Sequence, residues 1–227
     1  MGADFLDALR LLAGGDADAW RVALVSLQVS IAAVFAATVV GIPLAYLFSQ
    51  ARPGVVRLAI SLSHAATAIP TVVVGLTLYF VLSASGPLGW MHLLYTRLAM
   101  VGGQFLLALP ILTAVCLVSL THQPKELAET VRTLAVPPLR RMRLILGELR
   151  PALTSAVLLA FARVFTELGA AIILGGNIRG ETRTLTTMIA LEYDRGDGAR
   201  VMASGILLIV VALAVNAFAH RGATTQS

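Results

Sequence analysis

The chain has 227 residues, 58% of them apolar and only 13% charged, with 17 Lys and Arg against 12 Asp and Glu for a net charge of +5. Soluble domains run at roughly 45–50% apolar and about a quarter charged, so this composition excludes a water-surrounded globule and fits lipid as the solvent. The basic residues sit in short segments between apolar runs, which is a membrane-topology pattern, so no nucleic-acid partner is expected.

In chain order, residues 1–15 come first. Phe5, Leu9 and Leu12 fall at i, i+4, i+7 with Asp4, Asp7 and Arg10 elsewhere, which predicts a short amphipathic helix lying on the membrane and ended by Gly14-Gly15. Asp4 and Asp7 stand where a secretory leader would be basic, so the spans themselves are expected to direct insertion. Five runs are long enough to cross about 30 Å of hydrocarbon: about Val22 to Phe48, Ser63 to Leu82, Ala99 to Leu120, Ala152 to Leu174 and Val201 to Ala219. The one cysteine, Cys116, lies inside the third run and is read as packing; no metal-ligand spacing is present.

The loops set the orientation. With the N-terminus outside, the inner segments hold Arg52, Arg57, Lys125, Arg132, Arg140, Arg141, Arg143, Arg150 and Arg221. The outer ones hold Arg10, Arg21, Arg97, Arg179, Arg183, Arg195 and Arg200. Nine against seven favours N-out, C-in. The whole chain, 1–227, reads as one transmembrane domain of an all-α integral membrane protein, with 121–150 as the long inner segment and 175–200 as the long outer loop.

The inner segment is shaped like a knob. Leu127, Val131 and Leu134 share a helical face, Pro137-Pro138 breaks the helix, and a second helix follows with Leu139, Met142 and Leu146 on one side and Arg140, Arg141 and Arg143 around the other. Two short helices at the inner membrane face offer a soluble partner something rigid to push on. A basic loop anchored to anionic lipid is the competing reading.

Polar groups also lie inside the fourth run. Arg163 and Glu167 are spaced i, i+4 and can pair; a lone charge at mid-bilayer costs roughly 2.5–3.5 kcal/mol, so the pair is expected to face protein or a water-filled path. Pro43, Pro70, Pro110 and several glycines allow broken helices, whose half-helix N-termini suit an anion. In the outer loop Gly175-Gly176-Asn177 reads as a turn and Thr184 to Tyr193 as a short helix dipping back toward the membrane.

The stretch Glu129 to Ala135, ETVRTLA, resembles the EAARTLG coupling motif of ABC importer permeases. It departs at Thr130, Val131 and Ala135, and Leu146-Gly147 stands where that family has Leu-Pro. Pro70 to Gly75 looks like the start of the second core span in oxyanion permeases, and the run GGNIRG, TRTLTTMIALE, RGD looks most like tungstate-type permeases within the tungstate/molybdate group. The resemblance covers about residues 20 to 220. It implies an ABC importer permease fold, working as a homodimer on two ATPase subunits and fed by a periplasmic oxyanion-binding protein.

The resemblance also assigns roles. Glu129, Thr130, Val131, Arg132, Ala135, Pro137 and Pro138 would couple to the ATPase. Read from their own chemistry, Arg163 and Glu167 would line or brace the translocation pathway together with Pro70 and Thr71, or else form a structural ion pair fixing the bundle; Asn177, Arg179, Arg183, Thr184, Thr186 and Thr187 would serve as an outer gate whose hydroxyls and cations suit a tetrahedral dianion, or else as a solvated loop docking a partner. The chain has no GxxxxGK[ST] loop, so it is expected to be no enzyme and to hold no cofactor, with ATP-Mg bound by the partner ATPase. Other expected partners are membrane lipid and a second copy of the chain, and the expected location is the bacterial inner membrane. Molybdate or sulfate is the alternative substrate. An intramembrane enzyme would need a catalytic constellation that the spans lack, and a stand-alone channel would have no use for the knob.

Overall fold

The computed structural model describes residues 2–14, 17–122 and 137–224. The coupling positions Glu129, Thr130, Val131, Arg132 and Ala135, and the helix expected from Lys125 to Leu134, lie outside the described residues. The described residues form α1 (Gly2–Ala13), α2 (Ala17–Ser49), α3 (Pro53–Thr67), α4 (Thr71–Leu82), α5 (Arg97–Thr121), α6 (Pro138–Glu148), α7 (Arg150–Phe165), α8 (Gly169–Gly175), α9 (Leu185–Asp194) and α10 (Gly198–Thr224), with one 3₁₀ turn at Gly89–Met91.

Among the described residues, three helices are long and apolar enough to cross a bilayer unbroken: α2 with 33 residues, α5 with 25, and the Gly198–Ala217 stretch of α10 with 20. The second expected span is not one rod. α3 and α4 meet at 91° across Ala68–Pro70, because Pro70 cannot donate to the α3 ladder and disfavours helical geometry in the residue before it. The fourth is interrupted as well: α7 ends at Phe165, and α8 begins only at Gly169. α7 is also bent by 76° from the Met142–Glu148 part of α6, with Leu149 at the hinge. Pro151 in the first turn of α7 loses nothing there, since the first amides of a helix have no intrahelical acceptor. Counting each bent pair as one span gives up to five.

The core is built on α2 and α5. α2 turns a stripe of small residues inward: Ala19, Ala23, Ser26, Ser30, Ala33, Ala37, Gly41 and Ala45, every third or fourth position. Lipid tails give helices no hydrophobic reason to associate, so close backbone approach supplies the attraction. A side chain at Gly41 would reach Leu109, Leu112 and Thr113 of α5 at 3.4 Å. α7 and α3 pack on the same α5 cylinder, which buries Leu107, Ala108, Leu112, Cys116, Leu117 and Leu120. The opposite side of α2 leaves Ile31, Phe35, Val39 and Leu47 more than half exposed, as a lipid-facing surface does.

α1 packs along α10 through Ala8, which is fully buried, and leaves Phe5, Leu6 and Leu9 outward. On α6, Arg140 and Arg143 are exposed, Met142 is half-buried and Ile145 is 1% exposed. The buried ridge thus runs through Ile145, which the heptad-like reading of Leu139, Met142 and Leu146 passed over.

Ala37 is fully buried in the α2–α5 seam. Ala37→Leu is expected to lower stability by about 1–3 kcal/mol through overpacking, read as a drop in melting temperature in detergent, while Phe35→Leu on the outward side leaves it unchanged.

Candidate functional site

Two helix breaks come together inside the membrane-spanning body. The start of α4 lies against the start of α8, and glycine makes the approach close enough. A Cβ at Gly169 would sit 2.8 Å from Val72 Cγ2, 3.0 Å from Thr71 Oγ1 and 3.3 Å from Glu167 Oε1, and one at Gly75 would sit 2.9 Å from Ala170 Cα. Pro70 and Thr71 on one break and Glu167 on the other are therefore neighbours, although about 100 residues separate them in sequence.

Glu167 organises this junction. Arg163 NH1 donates to its Oε2 at 2.9 Å, the Ala170 amide donates to its Oε1 at 3.1 Å, and the Thr186 hydroxyl donates to its backbone carbonyl at 2.8 Å. Its side chain is 4% exposed, while that of Arg163 is 41% exposed. Arg163 stands thirteen residues beyond Arg150, roughly 20 Å along the helix, inside the fourth apolar run. A guanidinium at that depth does not face lipid without large cost, so this face of α7 meets water or another protein surface.

The two half-helix N-termini differ. The first turn of α8 is already served by the Glu167 carboxylate. α4 begins at Pro70 with no side-chain cap, which leaves its positive dipole end open. Pro70 is exposed, Thr71 is half-buried, and Thr166, Leu168 and Ile69 are exposed around them.

Beyond α8 the chain turns sharply. Gly176 (φ 67°) and Asn177 (φ 52°) are both left-handed, and the Gly176 amide donates to Ile172 O at 3.0 Å, which ends the helix. A Cβ at Gly176 would press on the Tyr95 ring at 2.8 Å. The Thr182 hydroxyl donates to the Gly175 carbonyl and accepts from the Ile178 amide. Arg183 Nε donates to Asn177 Oδ1 at 3.1 Å, and Arg179 pairs with Asp18 of α2 at 3.1 Å.

Thr184 caps α9 in a reciprocal box with Thr187. The Leu185 amide donates to Ser26 Oγ of α2 at 2.8 Å. Thr184, Thr186 and Thr187 are 3%, 8% and 0% exposed, and their hydroxyls are committed within the chain. What they build here is a tie from α2 through α9 to the break at Glu167, with no hydroxyl turned to open space.

Sequence reasoning left out the partners of this tie. Ser26 and Asp18 on α2 receive α9 and Arg179, and Arg97 at the start of α5 donates to Gln28 at 3.0 Å and to the Glu181 carbonyl at 2.7 Å. Ser26 and Ser30, polar residues on a seam of alanines, were the available signal. At the opposite end Pro137 precedes α6 with extended backbone (φ −54°, ψ 146°) and Pro138 opens the helix.

Residues 37–222 match the family described as "Binding-protein-dependent transport system inner membrane component". The chain is 34% identical to the tungstate uptake system permease protein TupB of Peptoclostridium acidaminophilum over 94% of its own length and 93% of that protein. It is 41% identical to the TupB protein of Campylobacter jejuni over 67% of its own length, an alignment that spans 64% of that relative. A probable anion ABC transporter permease protein of Haloferax volcanii is 35% identical over 87% of each chain.

Thr186→Val removes the donor to a buried carbonyl and is expected to cost about 1–3 kcal/mol, measured by thermal unfolding in detergent, whereas Thr186→Ser keeps the bond and most of the stability.

Proposed function

The chain belongs to the family of binding-protein-dependent transport system inner membrane components, and from that premise we propose that it is the permease subunit of an ATP-driven importer of tungstate. Two copies form the pathway and sit on two separate ATPase subunits, and a periplasmic binding protein delivers the anion. The tungstate reading is supported by the names and coverage of the TupB relatives. The geometry contributes one observation above all: within the fourth apolar run, a half-exposed Arg163 paired to a buried Glu167 lies at the junction where α4 begins uncapped. A cation and an open helix N-terminus on a face that is unsuited to lipid are what an anion pathway needs, and the same face is where the second copy belongs.

In this reading Pro70, Thr71, Arg163 and Glu167 border the pathway. Asn177, Arg179, Arg183, Thr184, Thr186 and Thr187 act as an outer gate by moving as one tied unit that carries the Glu167 break with it, not by offering free hydroxyls to the anion. Residues Glu129 to Ala135, with Pro137 and Pro138, receive the ATPase at the α6 end, with the N-terminus outside and α1 resting its Phe5, Leu6 and Leu9 in lipid. ATP binding draws the two α6 regions together, and the 76° bend passes that motion into α7.

The test is uptake by proteoliposomes that hold the permease with its ATPase, supplied with the binding protein. ATP-dependent accumulation of tungstate over molybdate and sulfate is expected, and Glu129→Arg abolishes it with protein level and melting temperature kept. Uptake of molybdate or sulfate alone sinks the tungstate assignment, and uptake indifferent to ATP sinks the importer.

A further inference from the structure

Arg163 spends only part of its hydrogen-bonding capacity on Glu167. The contact is single, from NH1 to Oε2, and among the described residues no other partner engages the guanidinium, which carries five N–H donors. Glu167 is bound from both sides and buried, so it does not leave easily; Arg163 is anchored at one nitrogen and open at the others. Resting on the oxyanion-permease reading, we propose that Glu167 is a built-in competitor for the transported anion and Arg163 is the residue that meets the anion. The carboxylate occupies the α8 amide and one corner of the guanidinium, so a tetrahedral dianion meets Arg163 only through its remaining donors.

The charge balance gives the consequence. A dianion beside a lone arginine would experience a net attraction in a low-dielectric site, where a charge pair interacts far more strongly than in water. Beside the Arg163–Glu167 pair it meets a neutral unit that still offers donors. The pathway then favours oxyanions by geometry without holding them, as conduction requires binding weak enough to release. Glu167 is thus a positioning residue that sets how tightly Arg163 binds, and Arg163 is the specificity-determining one. The uncapped start of α4 adds positive potential next to the pair without adding a full charge.

The experiment measures tungstate retention and transport together. The complex of permease and ATPase, purified without the binding protein, is equilibrated with radiolabelled tungstate by dialysis, and the same variants are assayed for uptake with the binding protein present. Wild type is expected to retain little tungstate. Glu167→Gln, whose amide oxygen still accepts from Ala170, is expected to retain it on the order of tenfold more tightly and to turn over at least tenfold more slowly. Glu167→Asp restores release, and the double variant Arg163→Gln/Glu167→Gln, which leaves no unpaired charge, folds but loses the retention.

A purely structural pair would lower the melting temperature without creating retention, so folded Glu167→Gln with wild-type retention overturns the proposal. Retention that survives in the double variant also overturns it, because Arg163 would not be the contact. If wild type takes up no oxyanion at all, the permease reading fails first and this inference falls with it.

Discussion

A carboxylate in the middle of a membrane needs partners, and Glu167 has three sets of them: the Arg163 guanidinium, the Ala170 amide and, through its backbone carbonyl, the Thr186 hydroxyl. These bonds draw α7, α8 and α9 to one point. Unsatisfied polar groups cost several kcal/mol each in hydrocarbon, so the break between α7 and α8 persists only because these ties meet its needs. Gly169 and Gly75 then let α4 come up against the break, and the second break, at Pro70, takes its place beside the first. The polar centre of the molecule follows from that one residue and the two glycines beside it.

Around this centre the fold divides its work. The α2–α5 seam, built from alanine, serine and glycine, is close-packed and leaves little room for rearrangement. The elements that carry breaks, α3–α4 and α6–α8, lie outside that seam and pack mainly on α5, with α7 also reaching α2. A rigid spine with bent elements hung on it suits a protein that passes force from one membrane face to the other, because a hinge at Leu149 or Ala68–Pro70 can turn without opening the core.

The outer tie connects these parts. α2 has 33 residues, roughly 50 Å of helix, so it extends beyond the hydrocarbon and presents Asp18 to Arg179 and Ser26 to Leu185. A displacement of the 176–184 turn is thereby felt both at the end of α2 and, through Thr186, at the Glu167 break. The threonines hold that connection.

The sequence by itself determined the solvent, the helical class, the positions of the long spans and the pairing of Arg163 with Glu167. These depend on composition and on short-range helical spacing, which need no knowledge of what packs against what. It also placed the family resemblance on ETVRTLA and on the GGNIRG turn, and the family match over residues 37–222 agrees. The tertiary structure decided the rest. That the turn at Pro70 lies beside the break after Phe165, and that Thr184, Thr186 and Thr187 are inward ties to Ser26 and Glu167, depend on contacts between residues up to about 160 positions apart. A hydroxyl has one appearance in a sequence whether it faces an anion or a neighbouring carbonyl; only the packing of α2, α8 and α9 around it fixes which it does, because in hydrocarbon each polar group takes whatever partner the fold brings within reach.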